Sequence, residues 1–503
     1  MSKRGTRLVY LCVLLATSLC LPGVASGTIW NVSNVSQLNS AVVGAGMNDE
    51  IVIASGTYNL NMYLNLNDVG LTIRGATGNR DDVILVGGGM NTQGINEGLM
   101  VNVDNITIRD LTLKSFYYNA IHIRGENDAD NALISNVRTW NIGERHVKGS
   151  GGGGPGAVSD NVIIENLYML QTEARLDTNP SGADYIGGID CMGVRNWTIR
   201  DCVAEGIVGA TDGGNAAIFL WQGVQDVTIE RNRIIGCTKG ITVGLGSPNS
   251  GVFTYPYHAE DVLIRNNTVL RGPWGTGNNI GLELSCTKDV EVYNNTLYSP
   301  NSYFRLFSTQ DSGGASATTN LQVINNIIRG GVFDIATGDW SAAALAAMGN
   351  IVDPSLLTVT PDWFVDPANG DFHLTELALA ALNSAVALGA VPEDMDGGPR
   401  PVGAFPDMGA DEYGSPAGDA NYDGLVDGLD YTIWSNNFNL PGNWGEANFN
   451  GDAFVDGLDY VIWSNNYGFG YPVSPSSGAV PEPGCLLLLL VAGPLALRRK
   501  VRA

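Results

Sequence analysis

Short stretches of alternating apolar and polar residues recur roughly every 28–35 residues between positions 100 and 330. Each stretch continues into Asn or Asp, as in VNVDNITIRD, DNVIIENLYM, RNWTIRDCV, QDVTIERNRI, EDVLIRNNTV, KDVEVYNNTL and TNLQVINNII. A second family of short strands lies between them: NAIHI, GGIDC, AAIFLW, KGITV, IGLEL and SYFRLF. This period, with β alternation and few helical windows, predicts a parallel β-solenoid in which each repeat is one rung.

Aligning the rungs places residues of one kind above one another. One column is charged and contains Arg109, Glu165, Arg200, Glu230 and Arg265. Because rungs stack about 4.8 Å apart, its alternating signs from Glu165 to Arg265 predict ion pairs along the stack. Two residues further on, a column of amides contains Asn232, Asn267, Asn295 and Asn326. Asn tolerates the left-handed turn conformation and bonds to its neighbours, so this column predicts an internal asparagine ladder.

These rungs, with their NNTV and NNTL turns, resemble the right-handed parallel β-helix families, which include pectate lyase-like and other polysaccharide-degrading proteins. The resemblance covers about residues 28–340. It implies an all-β domain at 27–340, and we interpret residues 341–414 as a C-terminal cap and linker. The same solenoid serves lyases, hydrolases, epimerases and adhesins, so the resemblance does not choose the activity.

Composition narrows the class of protein. The 503 residues predict more than one folded unit. A net charge of −24 argues against a nucleic-acid partner and is compatible with a secreted or calcium-binding protein. Four cysteines lie in the solenoid, where either disulfides or buried thiols are compatible with the pattern: Cys191, Cys202, Cys237 and Cys286. The sequence contains no CxxC, so a zinc site is not expected.

Both ends of the chain carry targeting patterns. Residues 1–26 have a basic start, an apolar run and small residues near Ala25, which predicts a secretory signal peptide. Residues 471–503 contain VPEP, an apolar run at 485–497 and a basic end. This run is short for a permanent span and predicts a transient membrane segment. The layout resembles the PEP-CTERM sorting signal, which implies processing by an exosortase and delivery to the surface or matrix of a Gram-negative-type bacterium.

The second strand family predicts an outward-facing strip by alternation. Its polar and aromatic members are His122, His146 or Lys148, Asp190, Phe219, Trp221, Thr242, Glu283 and Arg305. We take Lys148, Asp190, His146 and Arg305 as catalytic candidates. We take Trp221, Glu283 and His122 as candidates for binding polysaccharide. A merely solvated face would have the same composition, so this reading stays open.

The strip favours lyase over hydrolase chemistry. A uronate lyase needs a base for the C5 proton and a cation for the carboxylate, and Lys148 is a candidate base with His146 nearby. Asp190, one rung away, would orient Lys148 or bind calcium, although a surface ion pair explains the same residues. Asp190 and Glu283 are about 14 Å apart by rung spacing, which exceeds the separation that an inverting hydrolase uses.

A phrase near the C-terminus occurs twice, as VDGLDYTIWSNNF at 426–438 and VDGLDYVIWSNNY at 455–467. The first five residues of each copy, VDGLD, are the end of a twelve-residue loop that has the ligand spacing of an EF-hand. The first loop would bind calcium through Asp419, Asn421, Asp423, the Leu425 carbonyl, Asp427 and Asp430. The second would use Asn448, Asn450, Asp452, the Phe454 carbonyl, Asp456 and Asp459. Asn448 and Ala453 depart from the pattern, so we expect weaker binding in the second loop.

Two such loops, each followed by a helix, resemble a type I dockerin domain over residues 415–470. The resemblance implies calcium-dependent folding and docking to a cohesin-type module. Together the patterns predict a secreted cell-surface protein that acts on polysaccharide, and they favour a lyase over a glycoside hydrolase. The alternative is a non-catalytic β-helix that binds carbohydrate or protein as an adhesin.

Overall fold

A computed structural model describes the chain from residue 27 to residue 469, with gaps. The gaps are 153–156, 174, 177–181, 183, 212, 246–255, 273–279, 304, 311–317, 335–339, 403–404, 415–416, 422–424, 443 and 451–453. The predicted signal peptide and the VPEP tail lie outside the described residues. Within the described ranges, no helix is both long and apolar enough to cross a membrane.

Parallel strands stacked in register form a β-helix, which confirms the predicted solenoid. The described residues include one continuous sheet of 21 strands, bent along its length into two faces, and a separate sheet of ten strands. The first face contains Ile29–Val32, Glu50–Ile53, Thr72–Gly75, Ser159–Asp160, Val194–Arg195, Thr198–Arg200, Val224–Glu230, Ala259–Arg265, Thr287–Tyr293 and Thr319–Ile324. The second face contains Gly56–Asn59, Val83–Val86, Val203–Glu205, Arg233–Cys237, Thr268–Arg271, Thr296–Tyr298, Ile327–Arg329 and Ile351–Val352.

Three long strands cross the bend and belong to both faces: Thr107–Lys114, Leu133–Trp140 and Ile163–Leu170. The ten-stranded sheet, which we call the third sheet, closes each rung. Its strands are Leu64–Leu66, Glu97–Val101, Asn119–Arg124, Arg145–Ser150, Gly187–Cys191, Ala216–Leu220, Lys239–Val243, Ile280–Ser285, Phe307–Gln310 and Val332–Asp334. Inward Ile, Leu and Val side chains from the three faces fill the interior, because alternate residues of a strand point to opposite sides.

In eight successive rungs, from Asp110 to Asn325, one residue in the left-handed conformation makes the bend between the first two faces. Its φ angle is positive in Asp110, Asn136, Asn166, Asp201, Arg231, Asn266, Asn294 and Asn325. Asn and Asp adopt this conformation at lower cost than other non-glycine residues. The recurrent Asn and Asp of the sequence therefore set the corner and keep successive rungs in register.

The predicted asparagine ladder follows this corner directly inside the solenoid. The Oδ1 atom of Asn267 accepts hydrogen bonds from the backbone N–H and the side-chain amide of Asn232, at 3.0 and 2.9 Å. The same pattern joins Asn267 to Asn295, and Asn295 to Asn326. It continues to Asn350, which the repeat alignment missed, and the ladder begins where Asn232 accepts the Cys202 N–H. Each amide thus satisfies buried polar groups of the next rung.

The charged column forms two separate ion pairs. Arg200 lies 2.6 Å from Glu165, and the Arg265 Nε atom lies 2.7 Å from Glu230, as predicted. The third expected pair does not form, because no ion pair joins Arg200 to Glu230 among the described residues. Arg109 pairs with its neighbour Asp110 instead, at 2.8 Å, because Ser135 occupies the intervening rung. The four cysteines are buried, and no disulfide occurs among the described residues.

Helices close the ends of the solenoid. Helix Val35–Gly44 places Leu38, Ala41 and Val42 over the first rungs, and helix Ala342–Ala347 inserts Leu345 into the core at the other end. Residues 353–414 do not cover an end of the solenoid but pack along the outside of the second face. Apolar side chains of this segment, including Trp363 and Phe372, form a separate cluster with residues of the second face.

This side-packed segment contains the antiparallel strands Phe364–Asp366 and Asp371–Leu374 and the 3-10 turn Pro361–Trp363. Backbone hydrogen bonds and side chains attach it to the corner of the solenoid. The Asn266 amide donates to the Glu393 carbonyl at 2.7 Å, and the Gly409 N–H donates to the Asn325 carbonyl at 2.8 Å. The corner residues thus serve both the bend and the attachment of the segment.

The C-terminal unit consists of helices Gly428–Asn437 and Gly457–Asn466 and the 3-10 turn Trp444–Glu446. Its two halves make reciprocal contacts. The Trp434 indole donates to the Asp456 carbonyl and the Trp463 indole donates to the Asp427 carbonyl, each at 2.8 Å. The duplicated sequence therefore builds two halves related by an approximate twofold axis.

Replacing Asn267 by Ala should lower the free energy of unfolding by about 3 kcal/mol, because it removes two ladder contacts and leaves buried polar groups without partners. Urea unfolding followed by circular dichroism measures this change. Asn61→Ala, which removes an exposed amide that contacts only the Asn39 side chain among the described residues, should change stability by less than about 0.5 kcal/mol. Equal effects of the two changes would refute a special contribution from the ladder.

Candidate functional site

The third sheet aligns most of the predicted strip. In successive rungs its outer face presents His122, Lys148, Asp190, Phe219, Thr242 and Glu283. Asp190 is buried beneath its neighbours, and its carboxylate pairs with Arg145. The Asn215 amide and the Trp221 indole also donate to Asp190, at 3.0 and 3.1 Å.

These three contacts occupy Asp190, so two of its expected roles change. It does not pair with Lys148, although the two residues are direct neighbours in register. Its oxygens are engaged by three donors rather than arranged as open calcium ligands. The Trp221 ring stacks near Phe219, with ring centroids 6.2 Å apart, so Asp190 fixes the indole at the edge of a flat aromatic surface.

Lys148 is half-buried on the same outer face. Within the described residues it makes no hydrogen bond or ion pair. It lies beside His122 of the preceding rung. The side chain is therefore not committed to an ion pair among the described residues.

His146 lies inside the solenoid, which contradicts its place on the predicted strip. Its side chain is fully buried, and its Nδ1 atom lies 2.7 Å from the Thr139 hydroxyl. Burial lowers the pKa of His146 to about 3. His146 and its neighbour Val147 both face the interior. In the two adjacent rungs the position of His146 is occupied by the small residues Ala120 and Gly188. The inward–outward alternation of side chains is therefore broken at His146, which cannot reach a ligand on the outer face.

A chain of polar contacts that the sequence did not reveal runs across three strands next to Lys148. The His122 Nδ1 atom lies 3.7 Å from Glu97, and its Nε2 atom lies 2.8 Å from the Ser150 hydroxyl. Ser150 in turn donates to Glu126 at 2.5 Å, and Arg124 donates to Glu126 at 2.8 Å. This arrangement places acids at both ends of a histidine–serine pair.

The pKa values of the two acids, Glu97 and Glu126, are shifted in opposite directions. Desolvation raises the pKa of Glu97 to about 7, although the Asn119 amide and Lys148 oppose the shift. Burial also acts on Glu126, but hydrogen bonds from Ser150 and Arg124 outweigh it and lower its pKa. Desolvation and the Lys148 charge lower the pKa of His122 to about 4, so the imidazole is neutral at pH 7. Pairs of groups with pKa values shifted apart are typical of acid–base sites.

Glu283 and Arg305 belong to a second cluster. Arg305 lies 3.4 Å and Lys239 3.2 Å from the Glu283 carboxylate. Glu283 lies three rungs beyond Asp190, about 14 Å by rung spacing, so Arg305 does not join Lys148 in one reaction centre. Trp221 and Phe219 occupy the space between the two clusters.

A third polar cluster lies in the side-packed segment. His373 lies 2.6 Å from Asp371 and 2.9 Å from Asp396, and Asp411 is buried beside them. Desolvation acts on His373, but the neighbouring carboxylates outweigh it and raise its pKa well above the usual value. Desolvation raises the pKa of Asp411 to about 7. The imidazolium thus offsets buried negative charge that would otherwise destabilise the segment.

The two predicted calcium loops are described except at 422–424 and 451–453, so Asp423 and Asp452 lie outside the described residues. Asp427 and Asp456 cap the N-termini of the two helices, and Asp430 and Asp459 complete the capping boxes. Asp430 and Asp459 are fully buried. The remaining candidate ligands Asp419, Asn421, Leu425, Asn448, Asn450 and Phe454 are in the same two loops.

These acids are suited to a divalent cation. Asp430 accepts the Ala420 N–H at 2.8 Å, which draws the start of the loop towards its end. Burial raises the pKa of Asp430, so bringing positive charge to this carboxylate would stabilise the folded loop. Carboxylate, amide and carbonyl oxygens are the donors that calcium prefers.

No family model and no curated protein matches the chain. Solved structures share its β-helix outline at low identity. The crystal structure of pectate lyase Pel9A is 13% identical, with a TM-score of 0.48 over 78% of this chain and 97% of that chain. The A-module of the Azotobacter vinelandii mannuronan C-5 epimerase AlgE6 is 16% identical, with a TM-score of 0.40 over 60% and 85%. The alginate lyase from Paenibacillus sp. str. FPU-7 is 14% identical, with a TM-score of 0.34 over 61% and 98%.

Glu97→Gln should stabilise the fold at about pH 8 by about 1–3 kcal/mol and change stability little at about pH 4. The folded pKa of about 7 exceeds the unfolded value of about 4.3. The folded state therefore binds more protons between these values, and stability falls as pH rises through that window. Urea unfolding at the two pH values measures the difference. Glu376→Gln, at an exposed position, is the matched control, and equal responses of the two variants would contradict a desolvated Glu97.

Proposed function

We propose that the chain is a polysaccharide lyase whose reaction centre lies on the outer face of the third sheet around Lys148. The observation that carries this proposal is a cation without a partner among the described residues, placed next to neutral His122 in the row of outer-face side chains. In its unprotonated form Lys148 would take the C5 proton of a uronic acid residue. The C4–C5 double bond would then form as the C4–O4 bond breaks.

Other residues of the face would position the polymer. Trp221, fixed by Asp190 and stacked near Phe219, offers a flat surface for a sugar ring. Glu283 and Arg305 lie further along the same face and would contact the polymer beyond the reacting sugar. Asp190 supports this surface through its contacts with Arg145 and Trp221, so we assign it a positioning role rather than that of a base.

For the C-terminal unit we propose a dockerin with two calcium sites. Calcium would supply the positive charge that the two acidic loops need, with Asp419, Asp427 and Asp430 as anionic ligands in the first loop. Asn448 contributes no charge in the second loop, which supports weaker binding there. Possible calcium binding in the β-helix has no support from Asp190, whose oxygens are engaged.

The partner proposed for this unit is a cohesin-type module. Tyr431 and Tyr460 are about 40% exposed and lie 6.4 Å apart between ring centroids, one from each half of the unit. Leu429 and Leu458 are also exposed at the starts of the two helices. Apolar and aromatic residues that remain at the surface support a docking role.

Localisation follows from the terminal patterns of the sequence. We propose secretion through the signal peptide, followed by exosortase processing near VPEP and delivery to the cell surface or matrix of a Gram-negative-type bacterium. The transient membrane segment belongs to the same proposal.

Lys148→Ala should reduce formation of unsaturated products from acidic polysaccharides by at least about 100-fold, because a positioned base contributes about 10²–10⁴-fold. Ultraviolet absorbance of the new double bond measures the reaction. The control is Lys288→Ala, on the first face, where Lys288 pairs with Asp289. Full activity in Lys148→Ala would refute this assignment, and binding without product on every polysaccharide tested would favour the adhesin alternative.

Removal of calcium by a chelator should increase hydrogen exchange in helices Gly428–Asn437 and Gly457–Asn466. The loops that cap both helices would lose the cation that offsets their buried acids. Mass spectrometry of the full chain measures this exchange, and peptides of the β-helix provide an internal control. Unchanged exchange in both helices would exclude calcium-dependent folding of the unit.

A further inference from the structure

We propose that Ser150, His122 and Glu97 form a nucleophile, base and acid that remove ester-linked acyl groups from a polysaccharide. This activity is separate from lyase chemistry, because it cleaves a side-chain ester and leaves the glycosidic bond intact. It is proposed for the same outer face, where a polymer would meet both sets of side chains.

The hydroxyl of Ser150 lies between two proton acceptors. Its single proton is donated to Glu126 at 2.5 Å, and the His122 Nε2 atom lies 2.8 Å from the same oxygen. The hydroxyl must therefore rotate from Glu126 towards Nε2 before the proton is transferred. A serine within hydrogen-bond reach of a histidine that is itself oriented by a third group is the general arrangement of an activated nucleophile. Such sets are recognised by geometry and role rather than by fold or chain order.

Glu97 is the third group of this set. It lies 3.7 Å from the other ring nitrogen of His122, which is an electrostatic contact longer than a hydrogen bond, and the Asn119 amide donates to its two oxygens at 3.0 and 3.1 Å. When Glu97 is ionised, it favours the tautomer with the proton on Nδ1, which leaves Nε2 able to accept the serine proton. Since the pKa of Glu97 is about 7, acyl transfer should increase as pH rises through neutrality.

The reaction balances with water as the only co-reactant. Ser150 Oγ bonds to the acyl carbon while its proton moves to His122 Nε2 and the carbonyl electrons move to oxygen. Collapse of this intermediate breaks the ester C–O bond, and the departing sugar oxygen takes the proton from Nε2. Water then attacks the acyl-serine with His122 again as base, releasing a carboxylic acid and restoring the serine.

Positive charge is available for the oxyanion of the intermediate. Lys148 is two residues from Ser150 on one strand and faces the same side, so in its protonated form it would place positive charge on the face where the oxyanion forms. It makes no hydrogen bond or ion pair within the described ranges. A cation aimed at developing negative charge is a common means of lowering the barrier.

A fluorophosphonate probe tests the nucleophile directly, because it reacts covalently with activated serines. We expect the full chain to gain one phosphonyl group on the peptide that contains Ser150, as located by mass spectrometry. Ser150→Ala should abolish this adduct. Ser135→Ala is the matched control, since Ser135 also donates to a carboxylate, Glu165 at 3.0 Å, but has no hydrogen bond to a histidine; this variant should label like the parent chain.

His122 provides a second measurement. His122→Gln, which preserves shape and polarity, should slow labelling by at least about 100-fold. Circular dichroism of each variant establishes that the fold persists. Absence of an adduct on Ser150 in the folded parent chain, or labelling of Ser135 at a similar rate, would overturn the proposal.

Products separate this activity from the lyase. Incubation with an acylated polysaccharide should release the free acid, measured chromatographically, whereas lyase action gives ultraviolet-absorbing products. Acid release without absorbance would support the esterase and count against the lyase. Absorbance without acid release, together with an unlabelled Ser150, would leave the lyase standing and refute the esterase.

Discussion

Register between rungs is the constraint on which this structure depends. Backbone hydrogen bonds between parallel strands do not by themselves fix the pairing register. A shift of one strand by one residue would turn its core-facing side chains outwards. The left-handed corner residues, which are Asn or Asp in every described case except Arg231, oppose such a shift, because few other residues adopt that conformation cheaply. The column of amides that follows the corner adds hydrogen bonds between rungs. Polar side chains on the outer face can lie in rows only because this register is maintained.

Much of this framework was accessible from the sequence. The repeats specify the strands, the ladder and the ion pairs of Glu165 with Arg200 and of Glu230 with Arg265. Each depends on residues in equivalent positions of neighbouring rungs, and sequence spacing is sufficient to find those. Asn350 was missed because its rung lacks the recurrent strand pattern, and the side-packed segment was not recognised because its contacts with the second face are irregular.

The candidate site was less accessible, for physical reasons. His146 breaks the alternation because the strand turns a corner there, and Arg145 rather than Lys148 reaches Asp190. Glu97 lies in a strand outside the recognised repeats. Glu126 belongs to a 3-10 turn, Gly125–Asn127, which periodicity does not detect. Burial and tertiary hydrogen bonds shift the pKa values of His146, Glu97 and Glu126. Neither burial nor these hydrogen bonds can be read from spacing along the chain.

The asparagine ladder begins at Cys202, so it covers only the later part of the solenoid. Earlier rungs place Leu111, Val137 and Leu167 in the equivalent positions, and Glu97 to Ser150 belong to these rungs. The two parts should therefore respond differently to force. If a tethered C-terminal end and a bound polymer are pulled apart, the load passes through the hydrogen-bonded rungs first. The amides would then act as tensile reinforcement between the C-terminal end and the outer face around Lys148, which can remain more compliant.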